Sequence, residues 1–194
     1  MLLWHGADGQ RCLLQLKPDP LGGSSKAMRG TWQSPLQLSA IGERGDSDLA
    51  TRSGIYVVST TRPLNRVLAS DPAGILYIGK ASNLRSRLRS FLYGSHGATG
   101  FLWTYPAIRR AVLCASSESE PDCQSALESG FVRCAFVAQV SLSRAEQIAL
   151  FAYYQQFGEF PPLNSSMPNR WNPPTSAQLL WAAPAFEPTD LNRL

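Results

Sequence analysis

Apolar residues along this chain come in short runs, and glycine, proline or a polar cluster closes nearly every one. "LLWHGADGQRCLLQLK" (2–17) places Asp8-Gly9 between two such runs and reads as a β-hairpin. "PDPLGGSSKAMRG" (18–30) is rich in turn formers and reads as loop, and the charged "GERGDSD" (42–48) reads as an exposed junction. "GIYVVST" (54–60) and "GILYIGK" (74–80) are β-branched and aromatic runs that predict buried strands. "TRPLNRVLASDPA" (61–73) joins them as a loop or long hairpin connection, punctuated by Pro63 and Pro72.

The second half of the chain turns to helical spacing. "SNLRSRLRSFLYG" (82–94) predicts a helix capped by Ser82, with Leu84, Leu88, Phe91 and Leu92 as its apolar stripe and Gly94 at its stop. "TGFLWTYPAIRRAVLCAS" (99–116) predicts helix in its second half, with Pro106 opening or kinking it, and "ESEPDCQS" (118–125) predicts loop. "GFVRCAFVAQV" (130–140) predicts a third strand, and "SRAEQIALFAYYQQFG" (143–158) a helix with Ser143 at its cap and Gly158 past its end. After "PPLN" (161–164) the prolines and the tryptophans, Trp171 and Trp181 among them, predict an extended arm or wrap rather than a second domain. There is no internal repeat. Strands and helices in this order predict a mixed α/β (α+β) fold with an N-terminal β-hairpin extension over 1–50 and a C-terminal arm over 166–194.

Composition narrows the classes. A hydrophobic fraction of 44% supports a buried core, and a formal net charge of +4 permits a nucleic-acid partner without demanding one. Cys12, Cys114, Cys123 and Cys134 show no paired spacing, and His5 and His96 are the only histidines, so idle thiols are a better reading than a zinc site. "MLLWHGADG" lacks the basic start and sustained apolar stretch of a secretory signal, and no run reaches the roughly 18 residues that span a bilayer. The expectation is a soluble, cytoplasmic protein with reduced thiols and no membrane partner.

Gly54-Ile55-Tyr56 and Tyr77-Ile78-Gly79 stand in order, followed by Lys80, an arginine-bearing helix, a strand, a glutamate-bearing helix and Pro161-Pro162-Leu163-Asn164. Over about residues 53 to 165 this succession resembles the GIY-YIG endonuclease family. The resemblance implies a small three-stranded, mainly antiparallel sheet flanked by helices, within a domain spanning 51–165. It also implies hydrolysis of DNA phosphodiester bonds with one divalent metal, magnesium or manganese. A chain that kept the fold and lost the chemistry would instead be a non-catalytic DNA-binding module.

Each position has its own chemistry. Tyr56 matches the family tyrosine that meets the attacking water, as base or through a relay. A free phenol has a pKa near 10, so its anion needs a nearby cation, and Lys80 is placed to supply that field. Tyr77 would orient water or phosphate. Both tyrosines also read simply as strand aromatics, until the paired glycines that permit close approach are counted. Arg87 matches the family's catalytic arginine. At about 100° per residue it falls beside the Phe91–Leu84 edge of the apolar stripe, which predicts a guanidinium packed near the sheet. Arg85 and Arg89 read as backbone-tracking or solvated charges on DNA. Glu146 is the candidate metal ligand, since a hard cation that keeps its waters needs only one carboxylate. Ser143-Arg144-Ala145-Glu146 also reads as a capping box, and the family's usual spacing to the asparagine would fall on Ala152. Asn164 matches the terminal asparagine that ties the site by hydrogen bonds. Phe91 departs from the histidine or tyrosine of several relatives, and Tyr93 or His96 is a candidate to reach the same space from the loop.

Overall fold

A computed structural model describes residues 3–5, 11–13, 30–43, 52–93, 97, 129–137, 140–164 and 173–188. Two short strands, β1 (Leu3–His5) and β2 (Arg11–Leu13), pair antiparallel as the hairpin pattern predicts, in the register Leu3 to Leu13, Trp4 to Cys12 and His5 to Arg11. The main sheet is built around β4 (Gly54–Ser59), which lies between β7 (Ile75–Ala81) and β8 (Phe131–Ala135). The connection between β4 and β7 is itself a small hairpin of β5 (Leu64–Asn65) and β6 (Ser70–Asp71).

The sheet has four strands rather than three. The fourth, β3 (Leu36–Gln37), pairs with β8 to give the order β3-β8-β4-β7, every pair antiparallel. A two-residue strand carries no readable alternation, yet it gives backbone partners to a sheet edge that would otherwise stay open. Gln33 N–H to Cys134 O at 2.8 Å and a bridge between Trp32 and Ala135 continue the pairing past β3. The third predicted strand is also shorter than the apolar run over 130–140.

Both faces of the sheet are covered, which is why β4 is apolar almost throughout rather than alternating. One face packs Tyr56, Val58, Leu76 and Val132 against α1 (Leu38–Glu43) and α2 (Leu84–Leu92). The predicted stripe of α2 is the buried one: Leu84, Leu88 and Phe91 are fully buried and Leu92 nearly so. Truncating one such leucine to alanine costs about 2–5 kcal/mol. The cap of α2 is Asn83 rather than Ser82, its side chain accepting from Ser86 N.

The other face packs Ile55, Val57, Ile75 and Ile78 against α3 (Leu142–Phe157), which Gly158 ends in the left-handed conformation at φ 77° as predicted. Residues 173–188 close this face as a wrap, folded rather than extended. Thr175 and Gln178 form a reciprocal capping box that starts α4 (Ser176–Ala182), and a 3-10 turn (Ala183–Phe186) follows. Prolines dominate the composition there and hide the capping pattern. Trp181 and Phe186 are buried in the core, Trp181 Nε1 donating to Gly30 O and Trp32 Nε1 to Trp181 O, each at 2.9 Å. Arg133 on β8 donates to the carbonyls of Pro184 and Glu187 at 2.8 and 2.7 Å. Among the described residues no helix is long and apolar enough to cross a membrane. Gly94, His96, Trp171, the Pro106 helix and the loop at 118–125 lie outside the described residues.

Candidate active site

Tyr56 and Gly79 face one another across the β4–β7 pair. A Cβ at position 79 would stand 2.7 Å from the Tyr56 hydroxyl oxygen and 2.5 Å from the Tyr77 ring. Only a bare backbone leaves room for both phenols there. Gly54 is constrained differently, since a Cβ would meet the Ala135 carbonyl at 2.5 Å. The glycines of both tripeptides therefore have a packing reason.

The two phenols form one unit. Their ring centroids are 5.8 Å apart, and Phe91 lies 5.6 Å beyond Tyr77. Tyr56 is 0% exposed and Tyr77 half-buried. The two hydroxyls are hydrogen-bonded to one another. Burial is the main reason that both phenols titrate above the ordinary tyrosine range. For Tyr56 the charge and hydrogen bond of Tyr77 and the charge of Glu146 add to it, against Arg87. For Tyr77 Glu146 raises, while the Tyr56 hydrogen bond and Arg87 lower.

Lys80 is aimed at a carboxylate rather than at the Tyr56 phenol. It pairs with Ile55 on the face that packs on α3, and its Nζ lies 2.8 Å from Glu146 Oε2 and 3.1 Å from Ser143 Oγ. The cation that acts on both tyrosines is Arg87, from α2. Arg87 is exposed rather than packed near the sheet, and Arg85 is the half-buried one, reversing the expected order. A long side chain rooted beside the apolar stripe can still lie outward while its charge reaches the phenols. Arg89, also exposed, sits in the last turn of α2, where its charge suits the helix dipole.

Glu146 is not the closing residue of a capping box. The cap of α3 is Ser141, whose side chain accepts from Arg144 N at 3.2 Å, so Glu146 lies a turn inside the helix. Ser141 and Ser143 are both good caps by type, and only the chain path decides between them. Ala152 lies on the apolar side, packed against the Ile55 cluster. Among the described residues no group of three or more His, Cys, Asp or Glu side chains could hold a metal. Glu146 offers a single half-buried carboxylate, paired with Lys80, at which a hydrated hard cation would need waters and a substrate oxygen for the rest of its shell.

Asn164 positions the edge strand. Its side-chain oxygen accepts from Ile78 N at 2.9 Å and its amide donates to Ile78 O at 2.8 Å, while Leu163 N donates to Leu76 O at 3.0 Å. The "PPLN" segment thus satisfies the outer edge of β7, the strand that carries Tyr77, Gly79 and Lys80. Asp71, which pattern reading passes over as a turn residue, anchors the other end of that strand. It is fully buried and accepts from Ala73 N, Gly74 N, Ile75 N and the Tyr153 hydroxyl, at 3.0, 3.1, 2.7 and 2.9 Å. The Asp-Pro pair marks the turn, but nothing local points to Tyr153. Cys134 is buried, and burial pushes its thiol up to about 12, which leaves it unreactive.

No family model, curated protein or solved structure matches this chain.

Proposed function

We propose that this chain is a metal-dependent endonuclease hydrolysing DNA phosphodiester bonds, as its resemblance to the GIY-YIG family implies. The observation that supports the reading is the Tyr56–Tyr77 phenol pair over Gly79, with ring centroids 5.8 Å apart and the charges of Arg87 from α2 and Glu146 from α3 bearing on it. A cation and a carboxylate whose charges reach a pair of hydrogen-bonded phenols suit a reaction that needs charge relief on a phosphate and a positioned water.

In this mechanism Arg87 presents its exposed guanidinium fork to a phosphoryl oxygen. Tyr77, the more accessible phenol, orients the water or phosphate, and Tyr56 fixes the Tyr77 hydroxyl from beneath. Burial keeps both phenols protonated, so they work as hydrogen-bonding groups at neutral pH. Magnesium or manganese at Glu146 would supply Lewis-acid charge relief and a more acidic water. Arg85 and Arg89 extend the cationic side of α2 along the DNA backbone.

Cleavage of plasmid and branched DNA in magnesium or manganese tests the reading. Loss of cutting in Arg87→Ala, Tyr56→Phe and Glu146→Ala is the expected result. Full activity in Glu146→Ala would sink the metal assignment.

A second reading is a DNA-binding module without turnover. It is favoured by Phe91, fully buried against Tyr77 and unable to move a proton, and by the ion pair already on Glu146. Salt-sensitive DNA retention with no cleavage of any substrate would select it.

A further inference from the structure

We propose that Lys80 is a resident counter-cation of Glu146, which a divalent metal must displace in order to bind. This inference rests on the metal role proposed for Glu146, and it assigns Lys80 a function other than activating a tyrosine. Three observations carry it. The Lys80 ammonium lies 2.8 Å from Glu146 Oε2, closer than a second cation could share without strong repulsion. The pair is partly sheltered, with side-chain exposures of 39% for Lys80 and 20% for Glu146, so solvent screens that repulsion only in part. Ser143 Oγ, 3.1 Å from the same ammonium, already accepts a hydrogen bond from it and can retain the flexible lysine when Oε2 is given up.

The consequence is an exchange of cations on one carboxylate. Without metal, Lys80 neutralises Glu146 and holds β7 to α3. With metal, the ammonium leaves Oε2, keeps Ser143 as a partner, and becomes free to meet a phosphate oxygen. The negative charge of Glu146 is never left unpaired in a half-buried place, where it would be costly. Metal affinity in the absence of DNA is thereby held down.

The test is a manganese titration of the full chain without nucleic acid, following free Mn²⁺ by electron paramagnetic resonance. Wild type, Lys80→Met, Lys80→Gln and Glu146→Gln are compared, with circular dichroism to establish that each is folded. Both lysine variants should bind Mn²⁺ about tenfold more tightly than wild type, which is about 1.4 kcal/mol, and Glu146→Gln should lose the site. Equal affinity in wild type and the lysine variants, with Glu146→Gln still defective, overturns the displacement and leaves the metal role intact. Weaker binding in the lysine variants overturns it too, since Lys80 would then be holding Glu146 in place for the metal. Binding that Glu146→Gln leaves unchanged overturns the metal role itself, and the displacement falls with it.

Discussion

Gly79 lies beneath the phenol of Tyr56, so close that a Cβ would stand 2.7 Å from the hydroxyl oxygen. The neighbouring atoms belong to the buried Tyr56 ring and to the half-buried Tyr77 ring, which is held between Tyr56 and Phe91, so neither swings aside cheaply. Gly79→Ala should therefore destabilise the protein by about 1–3 kcal/mol through overpacking and break the Tyr56–Tyr77 hydrogen bond. Urea denaturation measures the first effect. An alanine variant as stable as wild type would show that the phenols have more freedom than this geometry allows.

Alkaline pH should unfold the protein before its buried phenols ionise. Burial raises Tyr56, and it raises Tyr153 as well, whose neighbouring Asp71 charge and the hydrogen bond donated to it add to the effect. A pKa raised in the folded state means that the native protein keeps protons which the unfolded chain releases. The stabilising contribution is whole below the unfolded value near 10 and falls as pH rises above it. Phenolate absorbance and circular dichroism, followed together, should show the buried phenols ionising only with loss of structure.

The two serines at the start of α3 should separate cleanly. Ser141→Ala removes the side chain that accepts from Arg144 N and should cost about 1 kcal/mol. Ser143→Ala, at an exposed position whose hydroxyl meets Lys80, should change stability by less than about 0.5 kcal/mol. Thermal denaturation of the two variants distinguishes them, and the reverse ranking would restore Glu146 to a capping box.

Asn164→Ala should act on the site from a distance. It orphans Ile78 N–H and C=O on the outer edge of β7 and should cost about 1–3 kcal/mol. On the proposed nuclease function, because β7 carries Tyr77 and Lys80, DNA cleavage should fall more than DNA binding. A variant that loses binding and cleavage equally would assign Asn164 to contact with DNA instead.

Much of the local architecture was legible in the chain. The two glycine-flanked strands, the Leu84–Leu88–Phe91–Leu92 stripe and the Gly158 stop each depend on neighbours a few residues away. Caps were less legible, because Ser82 and Asn83, or Ser141 and Ser143, satisfy the same chemistry one or two residues apart. The strand Leu36–Gln37 and the helix Ser176–Ala182 were not legible, one too short for a period and the other masked by prolines.

The candidate site divides in the same way. Sequence alone determined which residue types are present and in what order: two tyrosines with paired glycines, an arginine helix, a glutamate helix and a terminal asparagine. Tertiary structure decided what they do to one another. It set Tyr56 over Gly79, aimed Lys80 at Glu146 rather than at a phenol, left Arg87 exposed with its charge on both tyrosines, and closed the edge of β7 with Asn164. Those relationships depend on which face of a strand a side chain leaves and how the covering helices approach. Lys80 and Glu146, 66 residues apart in the chain, meet only because β7 and α3 pack together.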